Sequence, residues 1–139
     1  MSYSYKVSQR KFKTKDGVEH TKYYARAKRG KLVSSKELAQ EISERSSLTA
    51  GDVYGSLSAL SDVLKNHLLL GNSVKLDGIG IISLSITSEA SDEMDKVNAR
   101  TVKVGKICFR ADRELHDDVQ AVSFVKEKDA PKGYIPKNK

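Results

Sequence analysis

The chain of 139 residues is long enough for one domain of ordinary size with a modest core and too short for two independent ones. Its 38% hydrophobic and 31% charged residues lie on the polar side for a globular protein, a composition suited to a thin fold that completes its core by association. No apolar run approaches the ~20 residues of a membrane span, and the start Met1-Ser2-Tyr3-Ser4-Tyr5-Lys6 has no apolar stretch of a signal peptide, which predicts a cytoplasmic protein.

The net charge of +7 is unevenly spread: residues 1–36 carry 11 Lys/Arg against 2 Asp/Glu, residues 37–125 carry 9 against 14, and residues 126–139 carry 5 against 2. Positive charge therefore gathers at the ends. Clustered cations release counterions from a polyanion on binding, which makes a phosphate-bearing partner one reading and plain solubility the other.

In chain order, Tyr3, Tyr5 and Val7 alternate with polar residues, and Asp16-Gly17 separates this run from Val18 and Tyr23-Tyr24, the pattern of a β-hairpin. Tyrosines among lysines can stack on bases while the cations hold phosphates. They can equally line the inner face of a strand pair with the lysines outside. Ser34-Ser35-Lys36-Glu37 reads as a capping box that opens a helix over roughly 35–46, with Leu38 and Ile42 on one face.

A second box at Thr49-Ala50-Gly51-Asp52 opens the strongest helical stripe, Val53, Leu57, Leu60, Leu64 and Leu68, which predicts a helix to about Leu70, stopped by Gly71-Asn72. Val63, Leu69 and Leu70 widen the apolar face beyond what one partner helix covers, which again predicts a dimer core. Ser73 to Gly78 reads as a short strand and tight turn, and in the strand that follows Ile82, Leu84 and Ile86 alternate with serines. After a polar, acidic stretch from Thr87 to Asn98, residues 99–109 read as a returning strand, so the pair is expected to form a protruding hairpin. Asp112 is placed to cap a last short helix carrying Leu115 and Val119, residues 121–125 read as one further strand, and residues 126–139 as a disordered basic tail. The single cysteine, Cys108, excludes an internal disulfide and is expected to be buried and inert.

Particular residues then resemble the HU and integration host factor family of bacterial histone-like proteins. Leu38-Ala39-Gln40-Glu41-Ile42 looks like that family's first helix, and Leu48-Thr49-Ala50 with the leucine-rich stripe looks like its second. The run from Leu70 to Gly80 is similar to the family's G-x-x-V-x-L-x-G-x-G turn and strand, and Phe109-Arg110-Ala111-Asp112-Arg113-Glu114-Leu115 stands where the family carries F-x-P-G-x-x-L. The likeness covers about residues 33–120, and the basic hairpin and final strand resemble the divergent branch that adds strands at the ends.

The resemblance implies an α+β fold: an intertwined homodimer with two helices in the first half of each domain, a β-sheet saddle with a protruding β-arm, and a short C-terminal helix. The added hairpin makes three segments, 1–32, 33–125 and 126–139. It implies a non-enzymatic, nucleoid-associated protein that binds double-stranded DNA with weak sequence specificity, with no cofactor and no small-molecule substrate. Family members seat their arms in the minor groove and wedge an apolar residue between base steps.

At the arm tip the family is basic and holds a proline, whereas here Glu89, Asp92, Glu93 and Asp95 supply four carboxylates and no proline. Their repulsion of phosphate is local and spares the returning strand, while Met94 is either a substitute wedge or merely exposed. Expected phosphate contacts are Lys75, Arg100, Lys103, Lys106, Arg110 and Arg113, with Lys22, Arg26, Lys28 and Arg29 of the hairpin as a second surface. His20, His67 and His116 lack metal-site spacing, Gly78-Ile79-Gly80 lacks the third glycine of a nucleotide loop, and the acidic tip lacks the glycine and terminal glutamate of a calcium loop. Two rival readings remain: a dimerisation or protein-interaction module that has lost DNA, favoured by the acidic tip, and a single-stranded nucleic-acid binder through Tyr3, Tyr5, Tyr23 and Tyr24.

Overall fold

The computed structural model describes residues 1–128, which divide into two compact units, one built from Met1–Lys31 with the segment from Gln120 onward, the other from Leu32–Val119. The second unit contains α1 (Ser35–Glu44), α2 (Ala50–Leu69), β3 (Val74–Leu76), β4 (Gly80–Ser88), β5 (Val102–Ala111) and most of α3 (Arg113–Gln120). The first contains β1 (Ser2–Lys13), β2 (Glu19–Ala27) and β6 (Ser123–Lys126).

Both long helices start where their side chains satisfy the first free amides. Ser34 Oγ accepts from the Glu37 amide at 3.2 Å while the Glu37 carboxylate accepts from the Ser34 amide at 3.1 Å, and Thr49 and Asp52 repeat the reciprocal pair at 3.2 and 3.4 Å. The end of α2 is equally local. Gly71 takes φ +82°, so that its amide donates to Leu68 and the Asn72 amide to His67, each at 3.0 Å. The His67 ring meets the Asn72 side-chain amide at 3.1 Å, a role confined to this helix end.

The sheet of this unit runs β3-β4-β5, antiparallel throughout. The two glycines of Gly78-Ile79-Gly80 are needed for different reasons. Gly78 turns at φ +76°, a conformation that side chains rarely adopt. At Gly80 a Cβ would overlap the Arg110 carbonyl and approach the Phe109 ring to 2.7 Å, so β4 and β5 come this close only with glycine there. The Asp112 carboxylate, expected to cap α3, accepts from the Gly78 amide at 3.0 Å, and the Asp112 amide donates to Ile79 at 2.9 Å, so this residue ties the turn to the end of β5.

Little is buried. Among the described residues the buried hydrophobic side chains are Ala39, Val53 and Leu68. The α2 stripe is only partly covered, with Leu60 at its middle and Val63 beside it exposed, and Leu38 and Ile42, expected to seat α1, are also exposed. Ile86, Val104, Ile107 and Phe109 of the sheet are more than half exposed. Cys108 is half-buried on β5 opposite Ser83, on the polar side of the sheet, which corrects the expectation of a buried thiol.

In the other unit the Asp16-Gly17 turn holds β1 and β2 in antiparallel register from Tyr5↔Ala27 to Lys13↔Glu19. The strand expected over 121–125 is β6. It pairs in parallel with the free edge of β1, Ser2↔Ser123 to Tyr5↔Lys126, giving the order β2-β1-β6. The tail expected from 126 does not start there: Lys126 closes β6, and the Glu127 amide donates to the Tyr5 carbonyl at 2.9 Å. Residues 129–139 of that tail lie outside the described residues.

Glu127 pins this edge. Its carboxylate takes a hydrogen bond from Lys28 and lies 3.0 Å from Lys6 Nζ, so that cations on β1 and just past β2 hold the end of β6. Lys28 and then Lys6 hold the Glu127 carboxyl below the ordinary value of 4.5. A carboxylate with a lowered pKa stabilises the folded state above its ordinary pKa, and the contribution vanishes as pH falls through the lowered value. Glu127→Gln should therefore lower the denaturant midpoint of the β6 amide signals at pH 7 relative to wild type, with the difference closing as the pH falls below the ordinary carboxylate range and through the lowered value.

Candidate nucleic-acid interface

Alternation along β4 and β5 gives the sheet two unlike faces. Val74, Leu76, Ile82, Leu84, Ile107 and Phe109 share one face; Lys75, Ile81, Ser83, Cys108 and Arg110 share the other. Beyond Leu84↔Ile107 the register slips, and the next pair is Ile86↔Val104. Three steps on β5 thus match two on β4, a β-bulge with its extra residue at Gly105-Lys106.

The slip has an electrostatic result. In a regular strand Lys103 and Lys106, three apart, would lie on opposite faces. The bulge carries Lys103 opposite Thr87 and onto the face of Lys106 and Arg110, while Val104 joins Ile86 on the apolar face. Ser85 holds the bulge, accepting from the Lys106 amide at 3.0 Å and donating to the Lys106 carbonyl at 3.2 Å. Gly105 leaves room for it, since a Cβ there would come within 2.8 Å of Ser85 Oγ.

Two open hollows lie along this polar face. One, of about 580 Å³, is lined by Lys75, Arg110, Arg113 and His116. The other, of about 430 Å³, is lined by Thr87, Glu89, Arg100 and Lys103. Local carboxylates engage some of these cations loosely: Lys75 with Asp77 at 3.8 Å and Arg113 with Asp117 at 3.7 Å, exposed pairs that screen readily.

The expected residues thus fall into place unevenly. Lys75, Lys103, Lys106 and Arg110 share the polar face, and Arg113 opens α3 beside it. Arg100, expected on the returning strand, sits in the turn before β5, where its amide donates to Asn98 Oδ1 at 2.9 Å. In the acidic segment, Met94–Lys96 makes a single 3-10 turn, Lys96 lies 3.1 Å from Glu93, and Met94 is 88% exposed.

In the hairpin unit, Lys22 and Arg26 share one face of β2, Lys28 follows on the same side, and Arg29 lies beyond the strand. Across β1 the register adds Lys6 and Arg10 to that face, two cations that reading by composition had not singled out although their spacing of four carries the signal. Among the described residues no three His, Cys, Asp or Glu side chains group as a metal site, and no helix is long and apolar enough to cross a membrane.

The family model described as "HU domain fused to wHTH, Ig, or Glycine-rich motif" matches residues 1–126. The chain belongs to this HU-HIG family. The match takes in the residues of the hairpin and of β6. No curated protein matches the chain. Among solved structures, a candidate bacterial DNA-binding protein from Bacteroides vulgatus ATCC 8482 is similar with a TM-score of 0.60 at 10% identity, over 91% of this chain and 50% of that one. The HU-HIG chain thus spans half the length of that protein, and the likeness is one of fold. An Anabaena HU–DNA cocrystal structure aligns with a TM-score of 0.49 at 16% identity, over 64% of this chain and 99% of that one.

The bulge is the local feature on which the shared face of Lys103 and Lys106 depends. Ser85→Ala should release the Lys106 amide and speed its hydrogen exchange by about tenfold, the effect expected of removing one ordinary hydrogen bond. Amides of α2 should be unchanged in the same NMR exchange experiment.

Proposed function

We propose that this HU-HIG protein is a non-enzymatic, dimeric architectural protein of the cytoplasm and nucleoid that binds double-stranded DNA along the phosphate backbone with weak sequence specificity. The observation that carries the reading is the sorting of the β3-β4-β5 sheet: Lys75, Lys103, Lys106 and Arg110 on one face, apolar side chains on the other. A row of cations along a strand suits phosphates, which position a protein without reading sequence. The HU domain of the family and the shared fold with the candidate DNA-binding protein of B. vulgatus support the same partner.

Dimerisation follows from the other face. Leu60 and Val63 of α2, and Ile107 and Phe109 of β5, leave large apolar side chains exposed on both the helix and the sheet. A second copy of the unit is the occupant that the HU resemblance implies, and a homodimer would place two cationic faces on one duplex. The β4–β5 ladder, whose last pair is Ser88↔Val102, serves in this reading as the base of the arm. With Glu89, Asp92, Glu93 and Asp95 beyond it, the arm contacts phosphate along its strand and does not drive its tip into the groove.

That acidic tip favours a second reading, an HU-fold dimerisation module that holds a protein partner and has lost DNA. Binding of a fluorescent duplex of about 30 base pairs across a salt series separates the two. The DNA reading predicts affinity that weakens steeply with salt, and for Lys103→Ala/Lys106→Ala/Arg110→Ala a weaker complex whose log–log salt slope is smaller by about one for each phosphate no longer neutralised. No duplex binding at low salt would favour the protein-interaction module, and an unchanged slope in the variant would remove the β5 face from the interface.

A further inference from the structure

The β2-β1-β6 sheet carries a basic face of its own, apart from the cationic strand face of the β3-β4-β5 sheet. Its cross-strand pairs are Lys6↔Arg26, Ser8↔Tyr24, Arg10↔Lys22 and Phe12↔His20. Two of these four pairs set like charges directly opposite one another, an arrangement that destabilises a sheet by itself. Glu127 answers the charge only at the β6 end, through Lys6 and Lys28. Among the described residues no carboxylate stands within ion-pair distance of Arg10, Lys22 or Arg26.

Between and beyond those cations lie flat rings. Phe12 stacks on His20 with centroids 5.5 Å apart and planes 24° from parallel, and Lys22 Nζ sits 5.6 Å from the Phe12 centroid. Tyr24, between the two cationic pairs, is 48% exposed. The register also separates the tyrosines: Tyr3, Tyr5 and Tyr23 fall on the opposite face with Val7, Ala25 and Phe124, and Tyr3 packs against Phe124 with centroids 6.2 Å apart. The basic face therefore offers Phe12, His20 and Tyr24, and not the tyrosine group as a whole.

We propose that this face is a second nucleic-acid site, one that takes single-stranded DNA or RNA with phosphates on Arg10, Lys22 and Arg26 and bases on Tyr24 and the Phe12–His20 stack. Phosphates offset the like-charge pairs, and exposed rings on a sheet can meet only bases that are already unstacked, which a duplex does not present. Same-face residues on one strand lie about 6.6 Å apart, so the chain of contacts follows the strand direction.

The test uses the full chain with a fluorescein-labelled oligothymidylate of about 20 nucleotides, and the duplex in parallel. Phe12→Ala/Tyr24→Ala should weaken single-strand binding by about tenfold or more and leave duplex binding unchanged. The ring-retaining Phe12→Tyr/Tyr24→Phe should bind the single strand like wild type, and Arg10→Ala/Arg26→Ala should reduce both affinity and salt slope. Substitution of Lys103, Lys106 and Arg110 should leave single-strand affinity intact, so failure of the duplex site and of this one are read separately. The proposal is overturned if wild type binds no single strand, if Phe12→Ala/Tyr24→Ala binds it undiminished, if the ring-retaining pair loses binding, or if single-strand and duplex affinities fall together in the ring-free variant.

Discussion

The helical unit is governed by apolar surface that one copy of the chain does not cover. Its α2 carries a stripe from Val53 to Leu68, yet only the two ends of the stripe are buried, and Leu60 at its middle is exposed. Burial of apolar area is the main favourable contribution to folding, on the order of 25 cal/mol per Å². A unit with so few buried side chains gains little of it alone. The polar composition, the wide face of α2 and the exposed apolar side of the sheet express one constraint, and the dimer proposed above answers it.

That constraint also organises the electrostatics. If the apolar side of β3-β4-β5 turns toward a second copy, every cation on the sheet must lie on the remaining side to reach a ligand. A strand alternates with a period of two, which would separate Lys103 from Lys106. The bulge at Gly105-Lys106 resolves the conflict by shifting the phase once, so that Val104 and Lys103 exchange faces. Gly105 and Ser85 thus act on the charge pattern although neither carries charge.

Much of the architecture could be read from sequence because the deciding interactions are local. Two capping boxes, the Gly71 helix stop and the Asp16-Gly17 turn involve residues within five positions of each other, and all stand where the pattern puts them. What could not be read depends on distant partners. Parallel pairing of β6 with β1 joins Ser2 to Ser123, and no local pattern announces it. The phase shift in β5 likewise exists only relative to β4, and the tie from the Asp112 carboxylate to the Gly78 amide spans 34 residues. The tyrosines were a different case: adjacent Tyr23 and Tyr24 must point to opposite faces of a strand, so they could not serve one surface together.

The central claim is that the helical unit completes its core with a second copy, and sedimentation equilibrium of the full chain at micromolar concentration tests it most directly. The account predicts a mass about twice the 15.4 kDa of one chain, reduced to a monomer by Leu60→Glu/Val63→Glu. A well-folded species at 15.4 kDa over that concentration range would contradict it.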